Sequence, residues 1–245
     1  SVNIMSQSIK GMGKKQLEDS EYDAITLLGE VQFPFETSVN NIKMTGEITA
    51  SDQVNVNKIK LIGNFTGRKN VHVTTASIIG EVEVEEDLTF ELLKVTGTVD
   101  VKGHLNGKRL KLLGVLETEG NCEIDELEID GQVKVAGMLN ADTVDVHVRQ
   151  DSYVREIGGN VIHIRKHDGE KKKFKFITVM TSQSDSAYLT AEVIEGDRIE
   201  VDRVKAKVIR GDHIILHEDV EVETIEYTKT LECAQAAQIG KIMKL

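Results

Sequence analysis

The side chains that could do chemistry are few and poorly spaced for it. The chain has seven histidines, whose closest pairs are His163/His167 and His213/His217. Four apart on a strand, two residues share a face at a separation of roughly 13 Å, too far to ligate one metal ion together. Cys122 and Cys233 show no metal-ligand spacing. Cys122 falls among apolar positions and reads as a buried free thiol, a usage that suits a reducing cytoplasm. No serine or cysteine sits in a nucleophile elbow, and no glycine-rich loop ends in the Gly-Lys-Ser/Thr of a phosphate cradle. The acidic runs Glu81–Asp87 and Glu123–Asp130 suggest calcium, but the glycine-aspartate nonapeptide of calcium-loaded rolls is missing, so they read as solvated strand faces. Arg210-Gly211-Asp212 has the form of an integrin ligand, yet it repeats the place of Glu195-Gly196-Asp197 and reads as a corner of a coil. No catalytic, cofactor-binding or metal-binding residue is therefore assigned, and an enzyme is not expected.

What organises the chain is a glycine. Gly29, Gly46, Gly63, Gly80, Gly97, Gly114 and Gly131 are each separated from the next by 17 residues, without insertion or deletion. Aligned on it, the residues two before (Leu27, Met44, Leu61), four before (Ile25, Ile42, Ile59) and two after (Val31, Ile48, Phe65) form apolar columns that run through every copy. A second patch lies eight and ten residues after the glycine, as in Val54/Val56, Val71/Val73, Leu88/Phe90 and Cys122/Ile124, with weaker members at Thr37 and Gly107.

Period-2 alternation within each copy predicts short strands buried on one face. A fixed short period predicts copies that stack on their neighbours, because one copy cannot bury its own apolar face. The fold class is thus all-β, a parallel β-helix solenoid with 17-residue rungs, its glycines marking corners of positive φ or close approach. Helical repeats need longer periods, hexapeptide helices an 18-residue coil, and leucine-rich repeats an asparagine ladder; none fits.

The chain of 245 residues carries 41 acidic against 30 basic residues, a net charge of −11. That balance disfavours nucleic acid as the partner, which calls for a basic stripe. No apolar run reaches membrane-span length and no signal peptide is evident, so a cytoplasmic location is expected.

Four segments follow. Residues 1–21 lie outside the register, with Ser8–Gly13 as a possible frayed first rung and Lys14–Ser20 as a loop in it. Residues 22–148 are the regular helix. Residues 149–187 interrupt it with a β-hairpin, Asn160–Lys166 and Lys171–Ile177 flanking the turn signal Asp168-Gly169. Lys171–Phe176 interleaves bases with aromatics, which suits an anionic membrane surface or, more simply, a strand guarded by lysines. Residues 188–245 resume alternation in a shorter form, as a second, smaller helical part with a terminal rung or cap.

Rungs such as Ile129-Asp130-Gly131-Gln132-Val133-Lys134-Val135 and Val95-Thr96-Gly97-Thr98-Val99-Asp100-Val101 resemble those of the bactofilins, bacterial polymer-forming cytoskeletal proteins. The later segments Ile194-Glu195-Gly196-Asp197, Ala206–Gly211 and Val222–Tyr227 look like the bipartite bactofilin-like proteins of Gram-positive bacteria. The resemblance implies a right-handed β-helix that polymerises end to end without nucleotide and scaffolds cell shape, envelope or flagellar assembly at the inner face of the membrane. The chain departs from that pattern in its interruption and in lacking an apolar membrane-targeting peptide and proline-rich tails.

The leading expectation is a self-associating scaffold whose partner is itself, with membrane-associated proteins or the membrane surface as further partners and no small-molecule substrate. Val220, Val222, Ile225, Ile239 and Ile242 are the candidate contacts at one end. Two alternatives stand beside it: a partner-binding module resembling the β-helical domain of the division inhibitor MinC, which does not polymerise, and a carbohydrate-active β-helix enzyme, for which no carboxylate can be named.

Overall fold

The computed structural model describes residues 7–166 and 186–245. Thirteen strands follow one another in a single sheet, each paired in parallel with the next in chain order. They are β1 (Ser8–Gln16), β2 (Glu21–Phe33), β3 (Thr37–Ala50), β4 (Val54–Gly67), β5 (Val71–Val84), β6 (Leu88–Val101) and β7 (Leu105–Thr118). Then come β8 (Cys122–Val148), β9 (Ser152–Lys166), β10 (Leu189–Val201), β11 (Val204–Leu216), β12 (Val220–Cys233) and β13 (Gln238–Lys244). A sheet whose every strand pairs in sequence order and in parallel is a β-solenoid, as the 17-residue period predicts.

The apolar columns form its interior. Leu27 pairs with Met44, Met44 with Leu61, Leu61 with Ile78 and Ile78 with Val95, and all are buried. Phe65 and Phe90 point inward. The weak members of the second patch are accommodated individually. Thr37 is fully buried and its Oγ1 donates to the Phe35 carbonyl at 2.7 Å. Gly107 leaves room for Phe90 on the rung before, whose ring lies 2.2 Å from where a Cβ on Gly107 would stand.

Both reasons for the glycine column hold at once. From Gly29 to Gly131 φ lies between 139° and 149°, a region L side chains avoid. A Cβ on Gly63 would also fall 1.8 Å from the carbonyl oxygen of Gly46. Ion pairs step from rung to rung outside, as in Arg68–Glu85 and Arg109–Glu126, both 2.8 Å; exposed pairs of this kind each add little.

Three expectations need correction. The N-terminal segment is a full rung rather than a frayed one: Ile9 pairs with Ile25 and Gly13 with Gly29. Lys14–Gln16 belong to β1, and the loop is only residues 17–20, held by the Tyr22 hydroxyl, which accepts from the Glu18 and Asp19 amides. Second, Asn160–Lys166 is not a hairpin strand. It is part of β9, which pairs in parallel with β8 on one side and β10 on the other. Alternation reports one buried face and says nothing of the partner's direction, so a rung strand was read as a hairpin strand. The other half of that hairpin, Asp168-Gly169 and Lys171–Ile177, lies outside the described residues. Third, the 188–245 part is not a separate solenoid, since the β9–β10 pairing carries one continuous sheet from the first part into the second.

Candidate functional site

The five candidate contact residues occupy two different rungs. Val220, Val222 and Ile225 lie on β12 and are buried. Strand β13 covers two of them, Ile239 pairing with Val222 and Ile242 with Ile225. Only these last two face the end of the solenoid: Ile239 is partly buried against the core and Ile242 is 52% exposed. The assignment of Val220, Val222 and Ile225 to an end surface is therefore corrected. Their alternation with Glu221 and Glu223 looked terminal because β13 is short and its own alternation is weak.

β13 covers only part of the turn beneath it. It pairs along Glu221–Tyr227 and leaves residues 230–233 of β12 with no strand beyond them among the described residues. Leu231 there is partly buried against the core, and Cys233 is exposed. The sequence reading did not include Leu231, although Ile214, Ile199 and Ile162 precede it in one column.

That column can be followed back to the other end. Ile162 pairs with Val144 on the second half of β8. β8 runs through more than one turn: its first half pairs with β7, and Arg149 just beyond it donates its amide to the Gly131 carbonyl at 2.9 Å. Val144 stands 17 residues after Leu127, whose column leads through Leu110 and Ile42 to Ile25 and Ile9. Leu231 and Ile9 are thus the last and first members of one interior column.

The two ends are in phase. The arc left open at the C-terminal end, residues 230–233, holds the columns that Ser8, Ile9, Lys10 and Gly11 hold at the N-terminal end. β1 pairs only with β2 among the described residues, so its outer edge is open, and Ile9 is only partly buried. Gly13 carries φ 98°, yet a Cβ there would meet nothing within 4 Å. It has the glycine that inner rungs need for a close neighbour, but has no such neighbour.

Elsewhere the chemistry is that of a surface. Among the described residues no group of three or more His, Cys, Asp or Glu is placed to hold a metal ion. His213 and His217 turn to separate partners, His213 to Thr230 at 2.8 Å and His217 to Glu200 at 2.8 Å. His163 lies 4.0 Å from the same Glu200. The hydrogen bond to His217 holds the Glu200 carboxyl below its ordinary range. Arg210 bridges Glu226 and Glu195, which places Arg210-Gly211-Asp212 at a rung corner. Cys122 is fully buried and its thiol is pushed up to about 11 by burial. No helix among the described residues is long and apolar enough to cross a membrane.

The chain is 35% identical over 109 residues to "Uncharacterized protein YhbE" of Bacillus subtilis (strain 168), a match covering 44% of this chain and 43% of that protein. It is 32% identical over 111 residues to "Uncharacterized protein YhbF" of the same organism, covering 44% and 42%. The matched part therefore spans less than half the length of these curated relatives. No family model matches, and no solved structure does.

Proposed function

We propose that this protein is a non-enzymatic scaffold that assembles end to end through its β-solenoid, in the manner of the bactofilins, and needs no nucleotide to do so. The observation that carries this reading is the matched phase of the two ends: the open arc of β12 and the open edge of β1 hold the same columns. Stacking one copy on the next lays Ile9 on Leu231 and Lys10 beside Glu232, which continues the core and pairs unlike charges across the joint. An open strand edge with exposed apolar side chains is itself a template for further pairing. Because the two surfaces joined are different, the contact is heterologous and propagates instead of closing. Cell shape, envelope or flagellar assembly at the inner face of the membrane are the processes such a scaffold serves.

Electron microscopy and light scattering of the purified, nucleotide-free protein test the proposal. Unbranched filaments are expected, with particle size falling sharply for the double variant Ile239→Lys/Ile242→Lys. A wild-type protein that stays monomeric at all concentrations would instead favour the partner-binding module.

A further inference from the structure

One face of the solenoid breaks the acidic character of the chain. Consider the outward columns one, three and five residues before the glycine, followed from β1 to β7. In this span they hold no aspartate or glutamate, in a chain that has 41. Lys10, Lys43, Lys60, Lys94 and Lys111 share the column three before the glycine, and all are exposed. None of these five makes an ion pair, whereas Lys69, Lys102 and Lys108 elsewhere on the surface do. At β8 the same three columns turn acidic, with Glu126, Glu128 and Asp130.

Beside the lysines runs an apolar stripe that the core does not use. Met12, Leu28, Ile62 and Ile79 stand in the column next to the glycine and are 73%, 55%, 56% and 53% exposed. Thr45 and Thr96 fill the gaps between them. Lysines and aliphatic side chains thus alternate along the strands over seven rungs, a length of roughly 30 Å at the usual strand spacing.

We propose that this face docks on an anionic lipid surface. The combination required is negative charge with apolar material just beneath it, which is what a bilayer rich in acidic headgroups offers. A polyanion such as duplex DNA would use the lysines and leave Leu28, Ile62 and Ile79 unmatched. A second copy of the chain is a poorer fit: its acidic columns, one and three after the glycine, hold Glu30, Glu47, Glu81 and Glu83 and present little apolar surface to meet the stripe. The face lies within one chain, so the inference does not rest on end-to-end assembly.

Vesicle flotation tests it, since floating vesicles carry bound protein away from any filaments that sink. The probes are vesicles of equimolar phosphatidylserine and phosphatidylcholine, with phosphatidylcholine alone for comparison. The full chain is expected to float with the anionic vesicles at low salt and to be released by high salt, where surface charge is screened. Lys43→Glu/Lys60→Glu/Lys94→Glu should lower the bound fraction at least about ten-fold. Ile62→Ser/Ile79→Ser should lower it while leaving the charge intact, and Glu30→Gln/Glu47→Gln should not. The milder Lys43→Gln/Lys60→Gln serves if the charge reversal fails to fold in a thermal melt. The end variant Ile239→Lys/Ile242→Lys should float like the wild type. Absence of flotation, or flotation indifferent to the lysines, overturns the proposal. So does binding to duplex DNA as tight as to vesicles and unaffected by Ile62→Ser/Ile79→Ser. Loss of lateral clustering in the lysine variants without any vesicle binding would assign the face to a second copy.

Discussion

A Cβ on Gly46 would stand 1.7 Å from the carbonyl oxygen of Gly29, closer than any side chain can approach. Neighbouring rungs therefore meet backbone on backbone at this corner. Gly46→Ala should destabilise the protein by about 3–5 kcal/mol, because the positive φ and the clash add. Gly13→Ala, at the open edge, carries only the φ penalty and should cost about 1–2 kcal/mol. Denaturant melts compare the two, and equal costs would show that the rungs do not approach as described.

The register predicts a second contrast. Phe65→Ala empties a buried site and should cost about 3–5 kcal/mol. Glu83→Ala, on the solvent side of the next rung, should cost under about 0.5 kcal/mol. Similar costs in the same melts would disprove the inward and outward assignment.

Burial of Cys122 sets a pH dependence. Its thiol is pushed up to about 11 in the fold by loss of solvent, from an ordinary 9.0. The folded state holds the neutral thiol, so this contribution is fully present below about pH 9 and is lost as pH rises towards about 11. Cys122→Ala should flatten the decline in melting temperature over that window. A thiol reagent at pH 8 should modify the exposed Cys233 promptly and Cys122 only on unfolding. Prompt modification of both would contradict the buried position.

Glu200 gives the opposite sign. Its carboxyl is held below the ordinary range chiefly by the hydrogen bond with His217, so the pair stabilises the fold above the usual carboxylate pKa and the contribution is lost as pH falls through the lowered value. Both side chains are partly solvated, and the effect should not exceed about 1 kcal/mol. Glu200→Gln should lower the melting temperature slightly at neutral pH and leave it unchanged in strong acid. A deficit that persists in acid would mean that the side chain acts by packing.

The regular part of this fold is legible because one constraint repeats: every rung from Gly29 to Gly131 must bury the same columns and turn at the same glycine. Legibility fails where the constraint changes form. Val148 stands 17 residues after Gly131, so the glycine marker ends one turn before the solenoid does. Ser152 pairs with Leu189, 37 residues away, so β9 and β10 share no visible period although they are adjacent rungs. Beyond β10 the offsets shorten to 15 and 16, as in Leu189 to Val204 and Val204 to Val220. The end residues were harder still. That Val222 is covered and Leu231 is not depends on where β13 lies along β12, which alternation alone does not specify. Gly13 and Ile9, 16 before Gly29 and Ile25, were within reach had a one-residue shortening of the first rung been allowed.

The central claim is that opposite ends of the solenoid join, and a mixing experiment tests it most directly. Ile9→Lys blocks the N-terminal end and Leu231→Lys the C-terminal end, each leaving the other intact. Their masses are measured separately and mixed by sedimentation velocity at a concentration where the wild type forms filaments. Opposite-end stacking predicts that each variant alone is monomeric and that the mixture contains a dimer and nothing larger. Dimers of either variant alone would mean that like ends join, and filaments of both alone would mean that the ends carry no contact at all.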